Sequence, residues 1–115
     1  MKAYGQSLSK VTERASELKQ VYKKDLSFGD LVIIRTLNST YKIRVLANGL
    51  YAVSGGWFDA QGASPTITRI AGCSWGGSVI KIDVLAACGL CLEFGNRVVT
   101  SPIKEVVVLR FTESN

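Results

Sequence analysis

Apolar and polar residues alternate along most of the chain from residue 31 onward. Tyr41, Ile43 and Val45, for example, alternate with Lys42 and Arg44. Successive side chains of a β-strand point to opposite faces, so this period of two predicts strands with one apolar face. Short segments of this kind, separated by glycine-containing turns, lie at 31–34, 41–45, 51–53, 66–70, 78–82, 89–94, 97–100 and 106–109. They predict a small barrel or two packed antiparallel sheets.

The turn around Asn48-Gly49 fixes one strand register. A two-residue loop would place Tyr51 on the charged face of the preceding strand. A three-residue loop, 47–49, pairs Val45 with Tyr51 and gathers the apolar side chains on one face. We therefore expect this register, with a type I turn followed by Gly49 in the left-handed region.

Residues 7–24 show helical spacing instead, with a serine at the start to cap the first turn and lysines at the end. The apolar positions recur every three or four residues and form a narrow stripe. This pattern predicts an amphipathic helix that docks on the β-domain or on a second copy of the chain. The stripe, which is the candidate oligomer interface, consists of Leu8, Val11, Ala15, Leu18 and Tyr22.

Two later segments constrain the fold. Residues 83–94 are compatible with a helix that ends at Gly95, but Leu90, Leu92 and Phe94 alternate with polar or smaller residues, so we favour a strand from Gly89 followed by a hairpin. The segment 106–109 is apolar on both faces. It is therefore expected to be a central strand or a covered edge, because an exposed edge of this kind would aggregate.

The composition limits the chemistry. The chain of 115 residues carries a net charge of +5 and contains no histidine, which removes Ser-His-Asp and Cys-His mechanisms and the commonest metal ligand. Asp59 and Asp83 lie near glycine turns, but nothing in the sequence brings them together as an acid–base pair, and we interpret them as caps and turn residues. We expect no enzymatic activity and no cofactor.

Three cysteines are present, and Cys88 and Cys91 have the C-x-x-C spacing of redox and metal sites. Both flanks are apolar, and in a strand these two positions point to opposite faces. We therefore interpret all three cysteines as small buried hydrophobic residues and expect no metal site. The odd number of cysteines indicates reduced thiols, and the sequence shows neither a transmembrane run nor a secretory signal, so we expect a cytoplasmic protein. The length fits a single domain, 1–115.

Two glycine-rich loops carry large aromatic residues. Tryptophan is favoured where proteins bind partners, and aromatic side chains beside a basic residue stack on the bases of single-stranded nucleic acid. The alternative is that these rings fold inward and fill the ends of the β-domain. The candidate contact residues for a ligand or partner are Trp57, Phe58, Trp75, Tyr41 and Arg44.

Two segments resemble those of bacterial SH3-like barrels. Phe28-Gly29-Asp30-Leu31-Val32 is similar to the opening strand of such barrels, and the segment 97–103 followed by 106–108 is similar to their closing strands. The chain also resembles the small orphan proteins carried on mobile integron gene cassettes. The first resemblance implies an SH3-like barrel at 28–111. Together with the helix predicted at 7–24, which is not part of that pattern, the expected fold is mainly β (α+β), and neither resemblance supplies functional residues.

These observations favour a non-enzymatic binding module, homodimeric or larger, that binds a protein or a small molecule. The alternative is a nucleic-acid-binding barrel. Its support is the basic excess of residues 31–70, where Asp59 is the only acidic residue against Arg35, Lys42, Arg44 and Arg69.

Overall fold

The computed structural model describes residues 15–75 and 80–111, and side chains from residue 17 onward. The strands are β1 (Ala15–Leu18), β2 (Gln20–Tyr22), β3 (Leu31–Thr36), β4 (Thr40–Val45), β5 (Tyr51–Gly55), β6 (Thr66–Thr68), β7 (Ile70–Ser74), β8 (Ile80–Lys81), β9 (Val84–Ala87), β10 (Cys91–Phe94) and β11 (Val99–Leu109). A 3-10 turn follows β2 at Lys23–Asp25, and a short helix, α1 (Gly56–Ala60), follows β5.

Two antiparallel sheets account for these strands. The larger has the order β6-β5-β4-β3-β11-β10-β7-β8, with β1 also paired to β11, and the smaller contains β2 and β9. All four residues of β9 are buried, and the buried apolar residues of both sheets form one hydrophobic cluster. The prediction of a mainly β fold is confirmed. No helix within the described residues is long and apolar enough to cross a bilayer.

The larger sheet is open, so of the two expected arrangements the closed barrel is wrong, and the alternative of two antiparallel sheets is the one that the structure shows. The strand order of the larger sheet begins at β6 and ends at β8. Arg69 separates β6 from β7 along the chain, and these two strands are not neighbours in the sheet. The sheet nevertheless curls strongly. Tyr41 of β4 contacts Phe94 of β10, with ring centroids 5.5 Å apart, although β3 and β11 lie between these strands in the sheet.

The predicted hairpin register is confirmed. Val45 pairs with Tyr51 across β4 and β5. The turn differs from the expected type, because both Asn48 (φ 61°) and Gly49 (φ 75°) have positive φ. The Leu50 N–H donates to the Ala47 carbonyl oxygen (3.2 Å), which makes 47–50 a turn of the type I′ class with one additional residue beside it. Asparagine tolerates the left-handed region, and so the turn uses it at the first central position.

The predicted N-terminal helix is wrong over the residues that the structure describes. Ala15 and Leu18 lie in β1, and Tyr22 ends β2; Leu8 and Val11 lie outside the described residues. β1 pairs with the last four residues of β11, from Val106 to Leu109. This apolar stretch needs hydrogen-bond partners on both edges, and tertiary pairing overrides the local helical periodicity.

Of the remaining predictions, some are confirmed and others differ from the structure. Residues 106–109 are central, since β3 and β1 flank them. Strands replace the helical alternative at 83–94, and Glu93 pairs with Val99 in the predicted hairpin. Of the two glycine-rich loops predicted around the tryptophans, the one with Trp57 contains α1, and the one with Trp75 begins as strand, because β7 runs to Ser74.

Candidate functional site

An aromatic cluster fills one end of the curled sheet. The Phe58 ring of α1 is fully buried and packs edge-on against Phe94, with centroids 4.9 Å apart. Tyr41 packs against both rings, and its hydroxyl oxygen accepts a hydrogen bond from the backbone N–H of Trp57 (3.3 Å). These contacts seat α1 at the end of the sheet where β4 begins.

The contact residues predicted from the sequence therefore do not form one site. Tyr41 and Phe58 are buried in this cluster, whereas Trp57 is 42% exposed and Trp75 is 57% exposed. Trp57 lies on α1, while Trp75 follows β7 with the Lys81 ammonium 5.3 Å from its ring centroid. Arg44 is exposed on β4, on the face opposite Tyr41. Phe58 therefore packs inward, whereas the two tryptophans are exposed.

All four basic residues of segment 31–70 are exposed, and the three arginines among them are held by local partners. Arg35 forms an ion pair with Glu105 (3.1 Å). Arg44 donates to the Gly29 carbonyl oxygen (2.8 Å), and Arg69 donates to that of Asn48 (3.1 Å). This arrangement lacks the dense, unpaired cluster of cations that a nucleic-acid surface requires.

The opposite end of the sheet, where β4 ends, is open and forms a cleft of ≈ 550 Å³, here called the end cleft. One wall is the 3-10 turn after β2, and the other is the β4–β5 hairpin. The cleft is lined by Tyr22, Lys23, Lys24, Leu26, Val45, Leu46, Gly49, Tyr51 and Asp83. Val45 and Tyr51 are buried and belong to the hydrophobic core, so the cleft reaches down to the core.

Backbone hydrogen bonds fix the walls of the end cleft. The Lys23 N–H donates to the Asp83 carbonyl oxygen (2.9 Å), and the Leu26 N–H donates to that of Lys23 (3.2 Å). The Val45 N–H donates to the Asp30 carbonyl oxygen (2.9 Å). The cleft is therefore shaped by the fold itself, which favours ligand binding without a large rearrangement.

The charged groups of the end cleft are two lysines and one aspartate. The Lys23 ammonium lies partly buried and donates to the carbonyl oxygens of Ile70 (2.7 Å) and Ala71 (3.5 Å). Burial lowers the pKa of Lys23, and the Asp83 carboxylate opposes this effect. Burial also raises the pKa of Tyr51. An ammonium has three donors, and these two bonds account for two of them.

None of the cleft-lining residues except Tyr22 was a candidate from the sequence. Tyr22 belonged there to a predicted helical stripe, but in the structure it ends β2. The cleft depends on the contact between the 3-10 turn and Asp83, which lie far apart in sequence. The local signals that mark this site are weak, namely two adjacent lysines followed by Leu26.

The carboxylates and thiols singled out above have structural surroundings. Asp59 accepts hydrogen bonds from the Ser64 hydroxyl and the Gly55 N–H, which lower the pKa of its carboxyl group. Asp83 lies in the end cleft instead, so the two carboxylates belong to different sites.

All three cysteines are free thiols. Burial raises the pKa of Cys73 to about 11, which leaves it protonated at neutral pH. Cys88 and Cys91 are half-buried, so the sequence interpretation of buried thiols fits Cys73 best. Within the described part of the chain, no three His, Cys, Asp or Glu side chains gather to hold a metal.

Comparisons were made with protein-family models, with curated proteins and with solved structures, and none of the three gives a match. The functional argument therefore rests on the geometry of the sites.

Proposed function

We propose that this protein is a non-enzymatic ligand-binding module whose end cleft takes a small organic anion with an apolar body. The observation that carries the proposal is the cleft itself, in which a buried apolar floor lies beside two lysines. Self-association, expected from the sequence, was based on a helical stripe. Strands replace this stripe from Ala15 to Tyr22, where the structure describes it, and self-association forms no part of this proposal.

The size and lining of the end cleft suit a small molecule. Binding sites for such ligands have volumes of about 300–1,000 Å³ and combine an apolar lining with a few polar groups. The cleft, at ≈ 550 Å³, lies within this range. Leu26, Val45 and the Tyr51 ring supply apolar surface, and burying a ligand against them is favourable by about 25 cal/mol per Å² of apolar area.

The charge of the end cleft favours a negative group on the ligand. Lys23 and Lys24 outnumber Asp83, and the whole chain carries a net charge of +5. Lys24 is exposed at the rim, where it can approach a carboxylate or sulfonate without losing an existing hydrogen bond to a described residue. A positive cleft on a positive protein also raises the association rate of an anion at low salt.

Fluorescence titration with anilinonaphthalene sulfonate tests the proposal, since this probe joins an apolar body to an anionic group. Lys24→Glu is expected to weaken binding about five- to tenfold, because it replaces an attraction by a repulsion worth about 1 kcal/mol near the surface. Lys104→Glu is the matched control, because Lys104 is an exposed lysine of β11 that does not line the cleft. It is expected to leave binding almost unchanged.

The uncharged parent compound, phenylnaphthylamine, is expected to bind more weakly than the sulfonate and to respond little to Lys24→Glu. Equal effects of the two lysine substitutions on sulfonate binding would contradict an anion site in this cleft. Chemical-shift changes that spare Leu26, Leu46 and Tyr51 would contradict the location.

A further inference from the structure

The first residues of β11 have one edge without a strand partner among the described residues. β3 pairs with β11 only from Ile103 to Leu109. On the other edge, β10 pairs with Val99 and Pro102. On the N-terminal side of Ile103, the Leu37 N–H donates to the Pro102 carbonyl oxygen (2.9 Å). After Leu37 the chain turns away from β11 and enters β4.

The local hydrogen bonds show which way the backbone of Val99 points. The Phe94 N–H donates to the Val98 carbonyl oxygen (2.9 Å), so residues 94 and 98 form the hydrogen-bonded pair of this hairpin. Backbone groups of an antiparallel ladder alternate in direction. The N–H and carbonyl oxygen of Val99 therefore point away from β10, towards the edge that β3 has left.

A groove of ≈ 320 Å³ lies along this edge, here called the β11 groove. Residues of α1 form its opposite wall, and the β3–β4 turn closes one end. Its lining residues are Asn38, Ser39, Tyr41, Gly56, Trp57, Ala60, Val98, Val99, Thr100 and Ser101. Trp57 and Val99, one from each wall, are both more than 40% exposed.

We propose that the β11 groove binds an extended, uncharged peptide segment of a partner protein, which adds a strand to the free edge of β11. The N–H and carbonyl oxygen of Val99 favour an extended chain, because one residue of an added strand can pair with both groups at once. Trp57 then covers one side chain of the added strand, as aromatic residues do at protein contacts.

The charge of the groove selects the composition of this segment. Among the residues that the structure describes, no charged side chain lines the β11 groove, in contrast to the end cleft. Burying an unpaired charge there is unfavourable, so the segment that enters is uncharged, and a nucleic acid backbone does not fit. The site is separate from the end cleft and does not depend on the function proposed for that cleft.

The test uses the full chain and a synthetic pentapeptide, acetyl-Thr-Val-Thr-Val-Thr-amide, followed by heteronuclear NMR at millimolar peptide concentrations. We expect chemical-shift changes at Val99, Thr100 and the Trp57 indole, and slower hydrogen exchange of the Val99 amide. Two N-methylated versions of the peptide test whether it binds as a strand. In one version the methyl groups block the N–H groups on one edge of the strand, and in the other version they block those on the opposite edge. One of them is expected to lose binding and the other to retain it.

Trp57→Ala is expected to weaken binding of the pentapeptide at least fivefold. Trp75→Ala is the matched control, since Trp75 is also exposed but does not line the groove; it is expected to bind normally. Near-ultraviolet circular dichroism verifies that both variants fold, and should Trp57→Ala fail to fold, the N-methylated peptides alone decide the question. No shift at Val99, equal binding of both N-methylated peptides, or equal effects of the two tryptophan substitutions would overturn the proposal.

Discussion

Asp30 is a buried carboxylate that joins two segments of the chain, and its replacement is expected to destabilise the fold strongly. Its side chain is 2% exposed. One carboxylate oxygen, Oδ1, accepts the Phe111 N–H (2.9 Å), and the other, Oδ2, accepts the Ser27 N–H (2.9 Å) and Arg110 Nη1 (3.2 Å). Asp30 thus holds the turn before β3 against the segment that follows β11.

The expected loss follows from these three bonds. A hydrogen bond to a charged group contributes about 1.5–3 kcal/mol, so the two amide bonds together give about 3–6 kcal/mol. The Arg110 side chain is 39% exposed, and a pair of this kind adds at most about 1 kcal/mol. Ser27 and Phe111 are exposed residues, whose freed amides can bind water. We therefore take the lower end of the range, about 3 kcal/mol for Asp30→Ala and about 2 kcal/mol for Asp30→Asn.

Urea unfolding, followed by tryptophan fluorescence, measures these losses. Arg110→Ala removes the weakest of the three bonds to Asp30 together with an exposed bond from Arg110 Nη1 to the Asp25 carbonyl oxygen (2.6 Å), and it is expected to lower the free energy of unfolding by about 1 kcal/mol. Asp25→Asn is the matched control, because Asp25 is an exposed aspartate nearby, and no change is expected. The reasoning is refuted if Asp30→Asn stays within about 0.5 kcal/mol of the wild type, the range typical of surface substitutions.

Two further predictions concern stability. Gly55 has φ 95°, and an added Cβ would overlap the Thr40 carbonyl oxygen, whereas Gly62 has φ 68° and open space around it. Gly62→Ala is expected to lower the free energy of unfolding by about 1 kcal/mol and Gly55→Ala by about 3 kcal/mol; equal losses in thermal unfolding would contradict the clash. The pKa of Cys73 is raised from 9.0 to about 11, so between these values the folded state holds a proton that the unfolded state releases. Stability therefore falls as the pH rises through this range, by about 2–3 kcal/mol, and urea midpoints of Cys73→Ala should show a smaller fall than those of the wild type.

The strands of the larger sheet could be predicted where one face is buried and the other is charged. Tyr41, Ile43 and Val45 show this alternation, and shifting the register by one residue would expose all of them. The pairing of Val45 with Tyr51 therefore follows from the side chains alone. The conformation of the turn does not, because Asn48 and Gly49 both tolerate positive φ and several turn types satisfy the same register.

The N-terminal strands could not be predicted from local spacing. Leu18 and Tyr22 have helical separation, and short segments with mixed patterns follow the tertiary contacts that are available. The signal that identifies the strand lies elsewhere in the chain, in the apolar run from Val106 to Leu109. That run needs a partner on each edge, and β3 supplies only one, so the second partner has to come from another part of the sequence.

The location of the candidate sites follows from where the chain places its aromatic rings. β4 carries Tyr41 near its start and Val45 at its end, and these two residues face opposite ends of the curled sheet. At the Tyr41 end, α1 adds Phe58, and the interlocked rings leave only the shallow β11 groove. At the Val45 end the described lining residues include Tyr22 and Tyr51 but no phenylalanine or tryptophan, and the smaller Leu26 and Leu46 leave the end cleft open between them. Exchanging Leu26 for tryptophan should therefore fill the cleft and abolish binding of the sulfonate probe, while leaving peptide binding at the β11 groove intact; loss of both would show that the two ends are not independent.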